Sequence, residues 1–268
     1  MKKRLLYFRL IFNDMLLSAS QLISKSFDLY SKNRMVFLPY IVLIFFPTLL
    51  TTGGAALFKY ELLLHPGIGD TTLRTWILVF CVSILLVSIV SGWLSIALLR
   101  LSARITNNEA PITLKENLKT SARFIWPCIT TSILSAFFIL CGLIFFIVPG
   151  IILSIWFAFS TYTVVLDGKK NMNALKTSKA LVTGRWWSIF WRLFAPVFIF
   201  LFAGWLIKSI LPSPLLLIPA FAPYYPMAKT VLDIIISLAM IPFTILASTL
   251  LYFNATVTPM KAEVAETK

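Results

Sequence analysis

Long apolar stretches separated by short polar ones dominate this chain, and their lengths predict its architecture. An α-helix rises about 1.5 Å per residue, so roughly 20 apolar residues cross about 30 Å of hydrocarbon. Six stretches meet that requirement, at 35–58, 75–99, 126–148, 150–166, 187–210 and 231–253. The third and fourth abut. As one straight helix they would measure about 60 Å, twice the hydrocarbon thickness, so the chain has to turn back. Pro149 and Gly150 lie at the junction. Proline lacks a backbone donor and glycine accepts turn dihedrals, which predicts a short hairpin at that pair.

Each odd-numbered span is preceded by a segment with helical alternation of polar and apolar positions. Ahead of the first, Leu16, Ala19, Ile23, Phe27 and Tyr30 fall on one face, with Ser18, Gln21, Lys25, Asp28 and Lys32 on the other. Ahead of the third, a helix begins near Pro111, with Thr113 and Glu116 at capping-box spacing. Ahead of the fifth, the stretch 173–187 has the same character, and the tetrapeptide Leu-Lys-Thr-Ser occurs in both, at 118–121 and 175–178. The expectation is an all-α polytopic membrane protein with about six transmembrane helices in three helical hairpins, each preceded by an amphipathic interfacial helix. Three copies of one unit would account for the chain. In domain terms, 1–34 forms an N-terminal segment with the first such helix, 35–253 a single six-helix membrane domain, and 254–268 a short tail. The basic opening is interrupted by Arg9, Asn13 and Asp14 and reads as retained rather than as a cleaved leader.

Composition supports a lipid environment: 59% of residues are apolar and 13% charged, against about 25% charged in a soluble domain. Charge then sets orientation. Only Lys59, Arg74, Lys208 and Lys229 lie on one side of the spans, and the other 20 of the 24 basic residues lie on the opposite side. Cytoplasmic loops hold Lys and Arg, so both termini are expected in the cytoplasm; the N-terminal pattern and the motif at 142–194 point to the plasma (inner) membrane of a prokaryote. The net charge of +14 is distributed between spans, so no nucleic-acid partner is expected. Cys81, Cys128 and Cys141 fall in apolar stretches without CxxC spacing, which supports neither a disulfide framework nor a zinc site.

Between 142 and 194 the chain carries a Pro149-Gly150-Ile151 step, two valines and an acid (Val164, Val165, Asp167), then Ala174, Leu175 and Ser178. A glycine-basic-aromatic step follows at Gly184, Arg185, Trp186 and Trp187. This stretch resembles the membrane domain fused to some glycerophosphodiester phosphodiesterases and its stand-alone bacterial relatives. Relatives often place proline before the paired valines, where this chain has Tyr162 and Thr163, and glutamate where it has Asp167. The resemblance implies a six-span layout with a leading amphipathic helix. It implies no phosphodiesterase activity, because that reaction needs metal-binding carboxylates and histidines and this chain has one His.

Candidate chemistry is sparse. His65 shares its loop with Glu61 and Asp70 without metal-like spacing. Asp233 is the one acid inside a span, four positions after Lys229, and a structural ion pair is expected there. Lys179, Arg185, Trp186, Trp187, Trp191 and Arg192 cluster at the start of the fifth span. Indole rings favour the headgroup level and guanidinium groups bind phosphate with forked donors, so these six are the candidate lipid-headgroup contacts. Ser88 with Gly92, and Ser91 with Ser95, have small-x-x-x-small spacing and read as a packing stripe within the bundle or a dimer. The segment 211–229 holds five prolines and is expected at the surface or as a cover over a cavity.

The function expected from these features is non-enzymatic, with no cofactor: a membrane protein that binds or handles lipid, or a membrane scaffold. Its partners would be membrane lipids, with a homo-oligomer or a larger membrane-protein complex as the forms of assembly. The alternative is a small transporter or permease subunit, whose spans would be broken at Pro39, Pro47, Pro127, Pro196 or Pro242.

Overall fold

A computed structural model describes residues 16–64, 70–211 and 225–258. His65 and most of the proline-rich segment lie outside the described residues, as do 1–15 and 259–268. The described residues form helices only: α1 Ala19–Leu64, α2 Asp70–Thr106, α3 Leu114–Ser121, α4 Ile125–Phe145, α5 Ile147–Trp156, α6 Ser160–Asp167, α7 Asn171–Val182, α8 Trp186–Ile210 and α9 Tyr225–Val257. Within them, six segments are long and apolar enough to cross a membrane. The protein is an all-α, multi-pass membrane protein.

Local chemistry sets the element boundaries. A non-helical Asn33 (φ −117°, ψ 17°) kinks α1 and divides a leading part from the part that continues through Pro39 and Pro47. Thr113 caps α3, accepting from the Glu116 N–H at 3.4 Å. Gly168, with φ 71°, ends α6; its N–H and that of Lys169 both reach the Thr163 carbonyl.

The third and fourth spans do form a tight hairpin, but the reversal is at Phe146 (φ −161°, ψ 149°), not at Pro149 and Gly150. Those two residues sit in the first turn of α5, where the missing proline N–H has no intrahelical acceptor to lose. Gly150 serves close approach instead. A Cβ there would lie 2.4 Å from the Leu143 side chain, and one on Gly142 would lie 3.1 Å from the Gly150 backbone. The fourth span is itself broken at 157–159, between α5 and α6. Ten residues of α5 rise only about 15 Å, half the hydrocarbon thickness.

Three leading helices each run back along the end of the helix that closes the preceding hairpin. The first part of α1 lies against the end of α9, where Leu17 N–H donates to Asn254 Oδ1 at 2.8 Å. Further along, Phe27 and Tyr30 both pack on Phe243. In the second unit α3 lies against α2, where Asn117 Nδ2 donates to the Ala97 carbonyl and Trp93 Nε1 to the Leu118 carbonyl. In the third, α7 lies against α5 and α6, with Thr163 Oγ1 donating to the Ala174 carbonyl and Ser178 Oγ to that of Trp156. Because the first unit closes on the third, like contacts form a ring of three. Each leading helix buries one serine completely, at Ser26, Ser121 and Ser178. Two of these are the serines of the repeated Leu-Lys-Thr-Ser.

The buried stripe of the first leading helix is Leu22, Ser26 and the half-buried Leu29, not the face containing Phe27, which is exposed. Ser26 enters the core because its hydroxyl is satisfied within the helix, donating to the Leu22 carbonyl at 2.5 Å.

Burial is concentrated at the basic end of the bundle. The fully buried polar side chains Ser26, Ser102, Asn117, Ser121, Thr163, Ser178, Thr249 and Asn254 all lie there, beside Leu22, Leu98, Leu101, Phe159 and Leu251. Toward the other end Leu78, Leu85, Ile144, Phe145, Leu201 and Ile210 stand exposed. In a bilayer those side chains face acyl chains, so their exposure carries no hydrophobic penalty.

Candidate functional site

Of the six residues singled out as headgroup contacts, the two arginines hold helix ends. Arg185 Nε donates to the Leu181 carbonyl at 2.8 Å, Nη1 to that of Thr258 at 2.8 Å and Nη2 to that of Ala255. It thereby caps α7 and α9 together, and burial pulls its guanidinium below the usual value without removing its charge. Arg192 donates to the carbonyls of Leu16, Leu17 and Ser188. Lys179 lies over the Trp156 ring at 4.1 Å, and Trp186 stacks on Phe190 at 5.2 Å. Only Trp187 and Trp191 of the six are exposed large apolar groups, 66% and 55% accessible, and they form an outward aromatic anchor. Each of the two guanidinium groups thus uses three of its five donors on backbone carbonyls and fastens helix ends.

The same holds for the motif that carried the family resemblance. Val164, Val165, Ala174, Leu175 and Ser178 are buried, Asp167 accepts from the Tyr252 hydroxyl at 2.8 Å, and Gly184 holds φ 81°. Asp233 pairs with Lys229 at 3.5 Å, as its spacing predicts.

The concavity lies elsewhere, between α2 and α4, where a groove of about 930 Å³ opens. One wall is a single face of α2, with Cys81, Leu85, Ser88, Gly92, Ser95 and Leu99 at helical spacing. The other wall is Ile125, Cys128, Ile129, Ser132 and Ile133 of α4, and the floor is Thr161, Tyr162 and Ile245. The 18 residue steps from Cys81 to Leu99 correspond to about 27 Å, close to the full hydrocarbon thickness. Ser88, Gly92 and Ser95 therefore do not form a packing seam in this chain. They are exposed, and a Cβ on Gly92 would meet nothing within 4 Å. Small residues here make room rather than contact.

At its basic end the groove is framed by Trp93 and Trp126. Arg100 continues the face of Trp93 and Ile96 one turn further along α2. Its Cζ lies 5.3 Å from the Phe124 ring centroid, and its buried Nη1 has no hydrogen-bond partner. Arg104 and Arg123 are near enough to repel it. Arg104 is offset by Glu109 at 3.8 Å and bonds the Ala110 carbonyl, whereas Arg123 is exposed. The signal for this site in the sequence was the stripe Leu85, Ile89, Trp93, Ile96, Arg100. It reads as an apolar face ending in a cation, and only the missing neighbour makes it a groove.

Fold and groove together define the class: a six-span helical membrane protein with a lateral apolar groove. The chain belongs to the family described as Domain of unknown function (DUF7847), which matches residues 73–258 and so takes in both walls of the groove and its basic mouth. No curated protein and no solved structure matches the chain.

Proposed function

We propose that this protein is a non-enzymatic lipid-binding protein of a prokaryotic plasma membrane, which seats an acyl chain in the groove between α2 and α4. The observation that carries the reading is the groove itself: apolar, open sideways, and deep enough to run the length of a leaflet. Its polar lining is hydroxyl, thiol and indole groups without a charged side chain, and Ser95 already donates to the Ser91 carbonyl at 2.8 Å. That is a surface for methylene groups rather than for a hydrated ion. The uneven distribution of Lys and Arg supports a cytoplasmic location for the basic end and both termini. The residues around Pro149, the paired valines and Arg185 support kinship with the membrane domain of glycerophosphodiester phosphodiesterases.

A transporter reading draws on the broken fourth span, since transporters expose backbone at such breaks to bind substrate. Here Ser178 occupies the break, its Oγ accepting from Phe159 N–H at 3.1 Å and donating to the Trp156 carbonyl at 2.6 Å. The backbone groups an ion would use are already bonded, which favours lipid binding.

The test is a groove-filling substitution, Gly92→Leu, in the full chain purified in detergent and examined by native mass spectrometry. The wild-type protein should retain one or two lipids through detergent exchange and the variant should lose them. Equal retention by both would remove the groove from the function.

A further inference from the structure

The groove raises a question of selectivity that its walls do not answer. A lipid tail that moves from bilayer to groove exchanges one apolar environment for another, so tail burial gives little preference for any particular lipid. Discrimination has to come from the headgroup. We propose, resting on the reading of the groove as an acyl-chain site, that its occupant is an anionic phospholipid whose phosphate is bound by Arg100, with Arg123 as the outer contact.

Three observations support this occupant. Arg100 sits one turn beyond the groove on the same face of α2 as Trp93 and Ile96. Its Nη1 is buried without a partner, in a position where unpaired donors are expensive. Arg104 and Arg123 both repel Arg100 at this end of α2, and the carboxylate of Glu109 lies with Arg104. A phosphodiester between Arg100 and Arg123 would satisfy the buried donor and offset the mutual repulsion, using the planar fork that suits guanidinium to phosphate. Trp93 and Trp126 lie at the level where indoles meet headgroups and would flank the glycerol region. The groove from Gly92 to Cys81 covers about 16 Å of tail below that level.

The test uses the full chain reconstituted in vesicles of equal dioleoylphosphatidylglycerol and dioleoylphosphatidylcholine, extracted into detergent, with retained lipid read by native mass spectrometry. The wild-type protein should retain phosphatidylglycerol in preference to phosphatidylcholine. Arg100→Gln should lower that ratio on the order of tenfold, because one charge-assisted contact is lost. Arg100→Lys should restore part of it, since the charge returns without the fork. An unchanged ratio in Arg100→Gln overturns the headgroup assignment, and leaves the groove reading standing provided Gly92→Leu still sheds both lipids. If Gly92→Leu keeps both lipids while Arg100→Gln loses the preference, the acyl-chain site fails and the phosphate contact is a surface one. A lipid-free dimer of wild-type protein would overturn both, because the groove would then belong to a second copy of this chain.

Discussion

Replacing Ser178 by alanine is expected to destabilise the protein far more than the same change at Ser121, although the two serines occupy matching places in the repeated tetrapeptide and both are fully buried. Ser178 closes the broken fourth span: it gives the Phe159 N–H an acceptor at 3.1 Å and the Trp156 carbonyl a donor at 2.6 Å. Alanine would leave one buried amide and one buried carbonyl unsatisfied, each at about 1–3 kcal/mol. The expected loss is therefore about 2–6 kcal/mol, a large share of the roughly 5–15 kcal/mol that holds a typical fold together. Ser121 has only Asn117 Oδ1, at 3.5 Å, which is at the outer limit of a hydrogen bond. Its loss should cost about 0–1 kcal/mol. The assay is unfolding of the full chain in dodecyl maltoside by titration with sodium dodecyl sulfate, followed by tryptophan fluorescence. Equal losses at the two sites, or a larger one at Ser121, would refute the claim that α7 repairs the break in the span.

The same titration checks two further expectations. Gly150→Ala drives a Cβ to 2.4 Å from the Leu143 side chain and 3.0 Å from its backbone nitrogen, so overpacking should cost about 1–3 kcal/mol. Gly92→Leu enters open space and exchanges glycine for a better helix former, so its stability should match or slightly exceed the wild type. Arg185→Leu releases the carbonyls of Leu181, Ala255 and Thr258, and amide hydrogen exchange at the end of α9 should accelerate by at least tenfold. Arg185→Lys should rescue little of it, because an ammonium lacks the fork that reaches two helices at once. Exchange that stays slow in Arg185→Leu would show that α9 is held by its apolar contacts alone.

Much of the fold is legible in the sequence because hydrocarbon imposes a length on each span. Six apolar runs give six crossing helices, and the polar boundary at 34 coincides with the kink at Asn33. The pairing of Lys229 with Asp233 follows from helical spacing alone. Inside an apolar run the pattern is silent. The reversal at Phe146 and the break at 157–159 sit among residues of uniform hydropathy, where Pro149 and Gly150 are the only punctuation visible, and the fold uses Pro149 in a first helical turn and Gly150 for close approach instead. Position within a basic-aromatic cluster also leaves open which groups each side chain bonds. Arg185 and Arg192 have the composition of a headgroup site, yet helix ends that enter the bundle supply carbonyls needing the same donors. The groove is hardest of all to read, since Ser88, Gly92 and Ser95 look the same in sequence whether a neighbouring helix is pressed against them or absent.

That ambiguity follows from the ring of repeated units. In each unit the helix that closes one hairpin must meet the first helix of the next, so three like joints arise and the side chains at each decide whether it shuts. Between α9 and α1 the joint is shut by rings: Phe243 lies 4.5 Å from Tyr30 and 5.9 Å from Phe27, and Phe200 joins it at 5.4 Å. Between α5 and α8 it is pinned at its basic end by Trp186 Nε1, which donates to the Ile152 carbonyl at 3.4 Å. Between α2 and α4, the face that would have to supply such groups carries Ser88, Gly92 and Ser95, and the joint stays open for most of its length. The layer of buried serines and asparagine at the basic end tolerates this asymmetry, because it ties α2 to α3 through Asn117 and Trp93 without needing contact higher up. A ring with one unfilled joint can thus hold a lipid at its side while the fold is secured at its base. Bulky aromatic residues placed at 88, 92 and 95 should close the groove without disturbing the buried layer that organises the bundle.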